Sequence, residues 1–148
     1  MKSLARRMIR LLLMVPAFSW LVQARAALDV GDTVVKFSAP AALAGKPFTY
    51  SLAGALANGP VVVYYFPAAF STGCSIEAHA FAEAIEQFAA LGATVVGVST
   101  DDLETLTKFS SQPCLGRFPV ASDSTRSVSK SFDALMQTGP TTPTASPT

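Results

Sequence analysis

The chain has 148 residues, a length suited to one domain with a real core. Hydrophobic residues make up 50% and charged residues 14%, which excludes a chain disordered throughout. The formal charge of +1 hides an asymmetry: five basic residues and no acid fall in the first 26, leaving six basic and ten acidic residues, a net −4, in the rest. A mildly acidic body without a basic stripe argues against a nucleic-acid partner.

Residues 1–26 read as a targeting segment. Lys2 to Arg10 is basic, Leu11 to Val22 is a short apolar run broken by Pro16, and Ala24-Arg25-Ala26 is an Ala-x-Ala cleavage pattern. The expected mature chain begins near Ala27, is exported to the periplasm or secreted, and has no stable membrane association after cleavage. Arg6-Arg7 lies in a poor context for a twin-arginine signal.

Short strands are expected around Val34–Phe37 and Phe48–Ser51, separated by the turn signal Gly45-Lys46-Pro47. Asn58-Gly59-Pro60 then breaks the chain. Val61–Phe66 is an unbroken β-branched and aromatic run, as in a strand covered on both faces. Pro67 stops it, and a loop leads to Gly73. A helix is predicted over Cys74–Leu91, with Ile76, Ala80, Phe81, Ala84, Phe88 and Leu91 inward and Gly92 ending it.

Ala93–Val98 is a second buried strand. Asp101 and Glu104 have capping-box spacing before a helix to about Ser111, with Leu103, Leu106 and Phe109 inward and Pro113 closing it. Phe118–Ala121 reads as a strand, Ser122-Asp123-Ser124 as a turn and cap, and Ser127–Leu135 as a helix. Alternating strands and helices predict an α/β fold with parallel crossovers. Gln137–Thr148 has three prolines and no apolar periodicity, the pattern of a disordered tail.

The segment Phe66–Glu77 carries the chemistry. Cys74 opens a helix straight after a strand and loop, where unpaired N–H groups and the positive helix end favour a thiolate, the nucleophilic form. Ser71 offers a hydroxyl three residues earlier, and Glu77 lies one turn further along. His79, the single histidine, reads as a helix-surface or packing residue rather than a base. Two cysteines forty apart and one histidine lack metal-ligand spacing.

Pro67, Ser71, Cys74 and Glu77 stand at the spacing Pro-x-x-x-Thr/Ser-x-x-Cys-x-x-Glu. With Val95–Ser99 and Phe118–Asp123, this segment resembles the peroxiredoxin family of the AhpC/TSA type, and within it the bacterioferritin-comigratory or Q-type group, over residues 30–135. The resemblance implies a thioredoxin-like fold, a mostly parallel sheet flanked by helices, and a thiol-dependent hydroperoxide reductase. Cys74 would be oxidised to a sulfenic acid, Pro67 would shield the pocket, Ser71 would bind the peroxide, and Glu77 would orient an arginine. A disulfide would follow, opened by a thioredoxin-like or other thiol reductant, with no metal, haem or flavin. Relatives place the resolving cysteine either five residues after the first, where His79 stands here, or in the later helix, near Cys114; Cys114 is the candidate, and an outside thiol is the alternative.

The family pattern continues with an arginine-bearing strand, a partner strand and a helix, where this sequence has its Thr/Pro tail. Neither Arg117 nor Arg126 stands at the arginine's place. The expectation is a domain over 27–136 with weakened activity and with Val61–Phe66 at an open edge, a route to dimers or aggregation. Two rivals remain: an inactive remnant, and a disulfide exchanger, against which Glu77 stands where a second cysteine would be.

Overall fold

A computed structural model describes residues 28–135. The leader 1–26 and the tail 137–148 lie outside the described residues. In chain order the elements are β1 (Ser38–Leu43), β2 (Lys46–Ser51), α1 (Leu52–Leu56), β3 (Val61–Tyr65), α2 (Thr72–Ala90), β4 (Thr94–Ser99), α3 (Leu103–Ser111), β5 (Val120–Ser122) and α4 (Ser127–Ser131). They form one five-stranded sheet in the order β2-β1-β5-β4-β3. The expected parallel crossovers are β3 to β4 and β4 to β5, while β1 runs antiparallel to both β2 and β5, so the sheet is mixed. The α/β, thioredoxin-like architecture is as the sequence implies. Among the described residues β3 is an edge strand, paired only with β4.

Strand alternation explains the unbroken apolar runs. Tyr64 and Phe66 point to one face, against Cys74, Ala78 and Ala82 of α2 and Leu106 and Phe109 of α3. Val61, Val63 and Tyr65 point to the other, with Val96, Val98 and Val128. Apolar residues pack on both faces, so both positions of the period-two repeat are apolar, though Val61, Val62, Val63 and Tyr65 stay half-buried on this edge strand.

Several boundaries differ from the sequence reading. The first hairpin lies at 38–51, not 34–37 and 48–51, and its turn is Ala44-Gly45, with φ of 50° and 74°. Two central residues with positive φ match the twist of a two-residue hairpin. The Ala- and Pro-rich sequence of β1 hid it. Its buried alanines are small because both faces are packed, and β5 pairs only with Ala41 and Ala42, leaving Pro40 outside that overlap. The sequence reading had no α1, a short turn of helix capped by Ser51, whose Oγ accepts from the Gly54 N–H at 3.2 Å.

Helix α2 begins at Thr72, two residues early, and buries the stripe Cys74, Ala78 and Ala82, flanked by Phe81, Ile85 and Phe88. Ile76 and Leu91, expected inward, are 66% and 79% exposed, and Ala80 is exposed as well. Ile76 lies two residues from Cys74, about 200° round the helix, so burying the cysteine turns it outward. The cap of α3 is Asp102 rather than Asp101: its carboxylate accepts from Thr105 N–H at 2.8 Å and from the Thr105 hydroxyl at 2.9 Å. Glu104 instead pairs with Lys108. Strand β5 is Val120–Ser122 rather than 118–121. Helix α4 stops at Ser131, short of Leu135, where Asp133 turns left-handed at φ 51°. Asp123 does cap it, accepting from the N–H groups of Val128 and Ser129 at 3.1 and 2.7 Å.

Candidate active site

Cys74 occupies the third residue of α2, after the N-cap Ser71. It is buried, and it is not joined to Cys114. The loop from Pro67 to Ser71 leads from the end of β3 into this first turn. Within it, the Ser71 hydroxyl and N–H both donate to the Ala68 carbonyl, at 3.0 and 3.4 Å. The Ser71 carbonyl in turn accepts from Ser75 N–H at 2.9 Å. Ser71 therefore spends its hydrogen on the loop and keeps oxygen lone pairs free to accept. Phe70 has φ 63°, a conformation seldom adopted by a bulky residue, and its ring meets Phe109 edge-on at 5.3 Å.

A second set of bonds fixes this loop from outside. The Asp101 carboxylate accepts from Ala69 N–H at 2.6 Å and from the Ser99 hydroxyl at 2.9 Å. Ser99 Oγ also accepts from Asp101 N–H, and the Ser122 hydroxyl donates to the Asp101 carbonyl at 2.6 Å. Ser99 and Ser122 are buried register partners on β4 and β5. Assigning Asp101 to the cap of α3 concealed this; the signal was the pair of adjacent acids, Asp101 and Asp102, only one of which a cap can use.

The core beneath Cys74 holds Tyr64 and Cys114. The Tyr64 hydroxyl is buried without a hydrogen-bond partner. Burial raises the phenol well above its ordinary 10.0, and the nearby Cys114, Glu77 and Cys74 push it the same way. Sequence reasoning assigned Tyr64 only to a buried strand. Cys114 is fully buried in the turn after α3, and burial pushes its thiol up to about 12. The structure thus brings Cys74 and Cys114 into one apolar cluster.

Glu77 is exposed and makes no ion pair among the described residues. His79 lies on the outer face of α2, its Nε2 3.4 Å from Glu83 four residues on, as a surface residue would. Arg117 pairs with Glu86 across the gap between α2 and the turn after α3. Pro67 lines a cavity of about 340 Å³ with Phe66, Ser99, Thr100, Arg126 and Ser129, at the carboxyl ends of β3 and β4. Cys74 does not line this cavity, so Pro67 and Cys74 are not brought together there. No helix of the described residues is long and apolar enough to cross a membrane.

The chain is similar to known proteins over most of its described length. The sequence profile of the AhpC/TSA family matches residues 30–146. A Mycobacterium tuberculosis protein named as a peroxiredoxin is 36% identical over 107 residues, covering 71% of this chain and 66% of its own. This chain therefore spans just under two thirds of that relative. The crystal structure of peroxidoxin BcpB from Mycobacterium tuberculosis superposes with a TM-score of 0.64 at 34% identity, covering 70% of this chain and 64% of that one. The reduced 2-Cys peroxiredoxin of Plasmodium vivax shares the fold, with a TM-score of 0.66 at 23% identity, covering 73% of this chain and 71% of that one. The signature residues, the thioredoxin-like sheet and these similarities agree: the chain belongs to the AhpC/TSA family of peroxiredoxins.

Proposed function

We propose that this chain is a thiol peroxidase that reduces hydrogen peroxide or organic hydroperoxides at Cys74. The observation that carries the reading is the place of Cys74: a free cysteine in the first turn of α2, directly after a loop held by hydrogen bonds on both sides. Its thiolate attacks one peroxide oxygen, an S–O bond forms as the O–O bond breaks, and the departing hydroxide or alkoxide takes a proton from solvent to become water or an alcohol. Cys74 is left as a sulfenic acid. A second thiolate then attacks that sulfur, expelling hydroxide and forming a disulfide, and an external dithiol of thioredoxin-like type reduces it by exchange.

Cys114 is the proposed resolving thiol. Both cysteines are buried and unjoined, so in this reading the turn after α3, or the first turn of α2, opens before the two sulfurs meet. Pro67 shields the loop, Ser71 accepts from the hydroperoxide, and Glu77 orients a cation. Export outside the cytoplasm, by way of residues 1–26, belongs to the same proposal, as does dimerisation through the exposed edge of β3.

Intact mass of the reduced protein after one equivalent of hydrogen peroxide, beside Cys74→Ser, tests the reading. Rapid oxidation that depends on Cys74 supports it. Oxidation no faster than in the substituted protein would overturn it and leave an inactive relative of the family.

A further inference from the structure

We propose that Asp101 is a positioning residue for the peroxide-reacting loop, acting through the Ala69 amide on the first turn of α2. The inference rests on the peroxidase reading of Cys74.

The loop has a conformation that needs holding. Phe70 stands at φ 63°, and a phenylalanine pays steric cost there because its Cβ crowds the backbone. Such a residue persists where its surroundings over-determine it. Two anchors do so here: the Ala69 N–H bonded to Asp101 on one side of Phe70, and the edge-on contact of the Phe70 ring with Phe109 on the other. Both anchors come from the stretch after β4.

Asp101 is itself fixed. Its carboxylate takes the Ser99 hydroxyl, its N–H bonds back to Ser99 Oγ, and its carbonyl takes the Ser122 hydroxyl. The two serines are buried at the carboxyl ends of adjacent parallel strands, so the carboxylate is referenced to the sheet. It is not needed as a cap, since Asp102 caps α3. From Ala69 the bonds run on without a break: Ala68 carbonyl to Ser71, then Ser71 carbonyl to Ser75 N–H in the turn that carries Cys74. A charged acceptor makes a shorter and stronger bond than a neutral one, so an amide in its place holds the loop less firmly. Small displacements of a reacting group are expensive in rate.

The test compares two reactions of Cys74 in the purified chain: oxidation by hydrogen peroxide, and alkylation by iodoacetamide. Both need the thiolate; only the first needs the loop to place an oxygen. Asp101→Asn should slow oxidation about tenfold or more while alkylation stays within about twofold of the parent. Should Asp101→Asn fail to fold, Ser99→Ala removes one support of the carboxylate and should give a smaller selective loss in oxidation. A fast parent with unchanged oxidation in the variant overturns the clamp alone, as does an equal slowing of both reactions. A parent whose oxidation does not depend on Cys74 overturns the peroxidase reading and the clamp with it.

Discussion

Tyr64 lies across Gly97, its register partner on the neighbouring parallel strand, and its ring occupies the space a side chain there would fill. A Cβ on Gly97 would come within 2.9 Å of the Tyr64 Cζ and hydroxyl oxygen and 3.0 Å of Phe66 Cε1. The missing side chain lets the Tyr64 ring reach across β4 to Phe118, at 5.9 Å. Gly97→Ala therefore overpacks an aromatic core, and the Tyr64 ring has to shift to admit the new methyl. Urea unfolding should show a loss of about 2 kcal/mol. A loss below about 0.5 kcal/mol would mean the aromatic stack moves aside freely.

Tyr64→Phe tests the other end of the same ring. The hydroxyl is buried without a partner, and such a group carries a desolvation cost that the phenylalanine lacks. The ring contacts with Phe81, Phe66 and Phe118 are kept. The expected outcome is a protein more stable by about 1 kcal/mol in chemical denaturation. A clear loss of stability would identify a partner for the hydroxyl among the groups near it.

Cys114 couples stability to alkaline pH. Its thiol is raised from 9.0 to about 12 by burial, so the native state keeps a proton that the unfolded chain releases. The contribution is fully present below pH 9 and is lost as pH rises through the native value near 12. Stability curves of the parent and Cys114→Ala should run parallel below pH 9 and converge or cross above it. Parallel curves throughout would refute the burial of this thiol.

Asp102 couples stability to acid pH in the opposite sense. Hydrogen bonds from Thr105 hold its carboxyl below the ordinary 3.8. The cap contribution is present above the unfolded value and disappears as pH falls through the lower native one. Asp102→Ala should melt earlier than the parent at neutral pH, and the gap should close in strong acid. An equal gap at every pH would mean the alanine acts through something other than the lost carboxylate.

The parts of the fold and site legible in the sequence are those with a strong local period. Val61–Phe66 and Ala93–Val98 declare strands because apolar residues pack on both faces of the sheet, although only Tyr64 and Phe66 of the first are buried. The signature around Cys74 is legible because spacing, strand and helix coincide within a dozen residues. The hairpin was misplaced because β1 is built from alanine and proline, whose strand character comes from its neighbours rather than from propensity. The buried face of α2 could not be read from its large apolar residues, since its stripe is set by a cysteine and two alanines that fit close to the sheet. Asp101 was misread for a different reason. Its partner, Ala69, is 32 positions away and contributes only a backbone N–H, which no side-chain pattern reports.

The position of β1 governs the order in which this sheet can be finished. The β1–β2 hairpin is local, and β3 and β4 join through α2, but these two halves share no strand pairing with each other. Among the described residues only β5 bridges them, Ala41 meeting Ala121 and Ala42 meeting Val120. That closure joins residues 80 positions apart in the chain, so it is the pairing with the largest loop-closure cost and is expected to come late in folding. Substitutions that weaken β5 should thus slow the final folding phase far more than those in the hairpin, and a chain still being synthesised cannot seal its sheet until residue 122 is free.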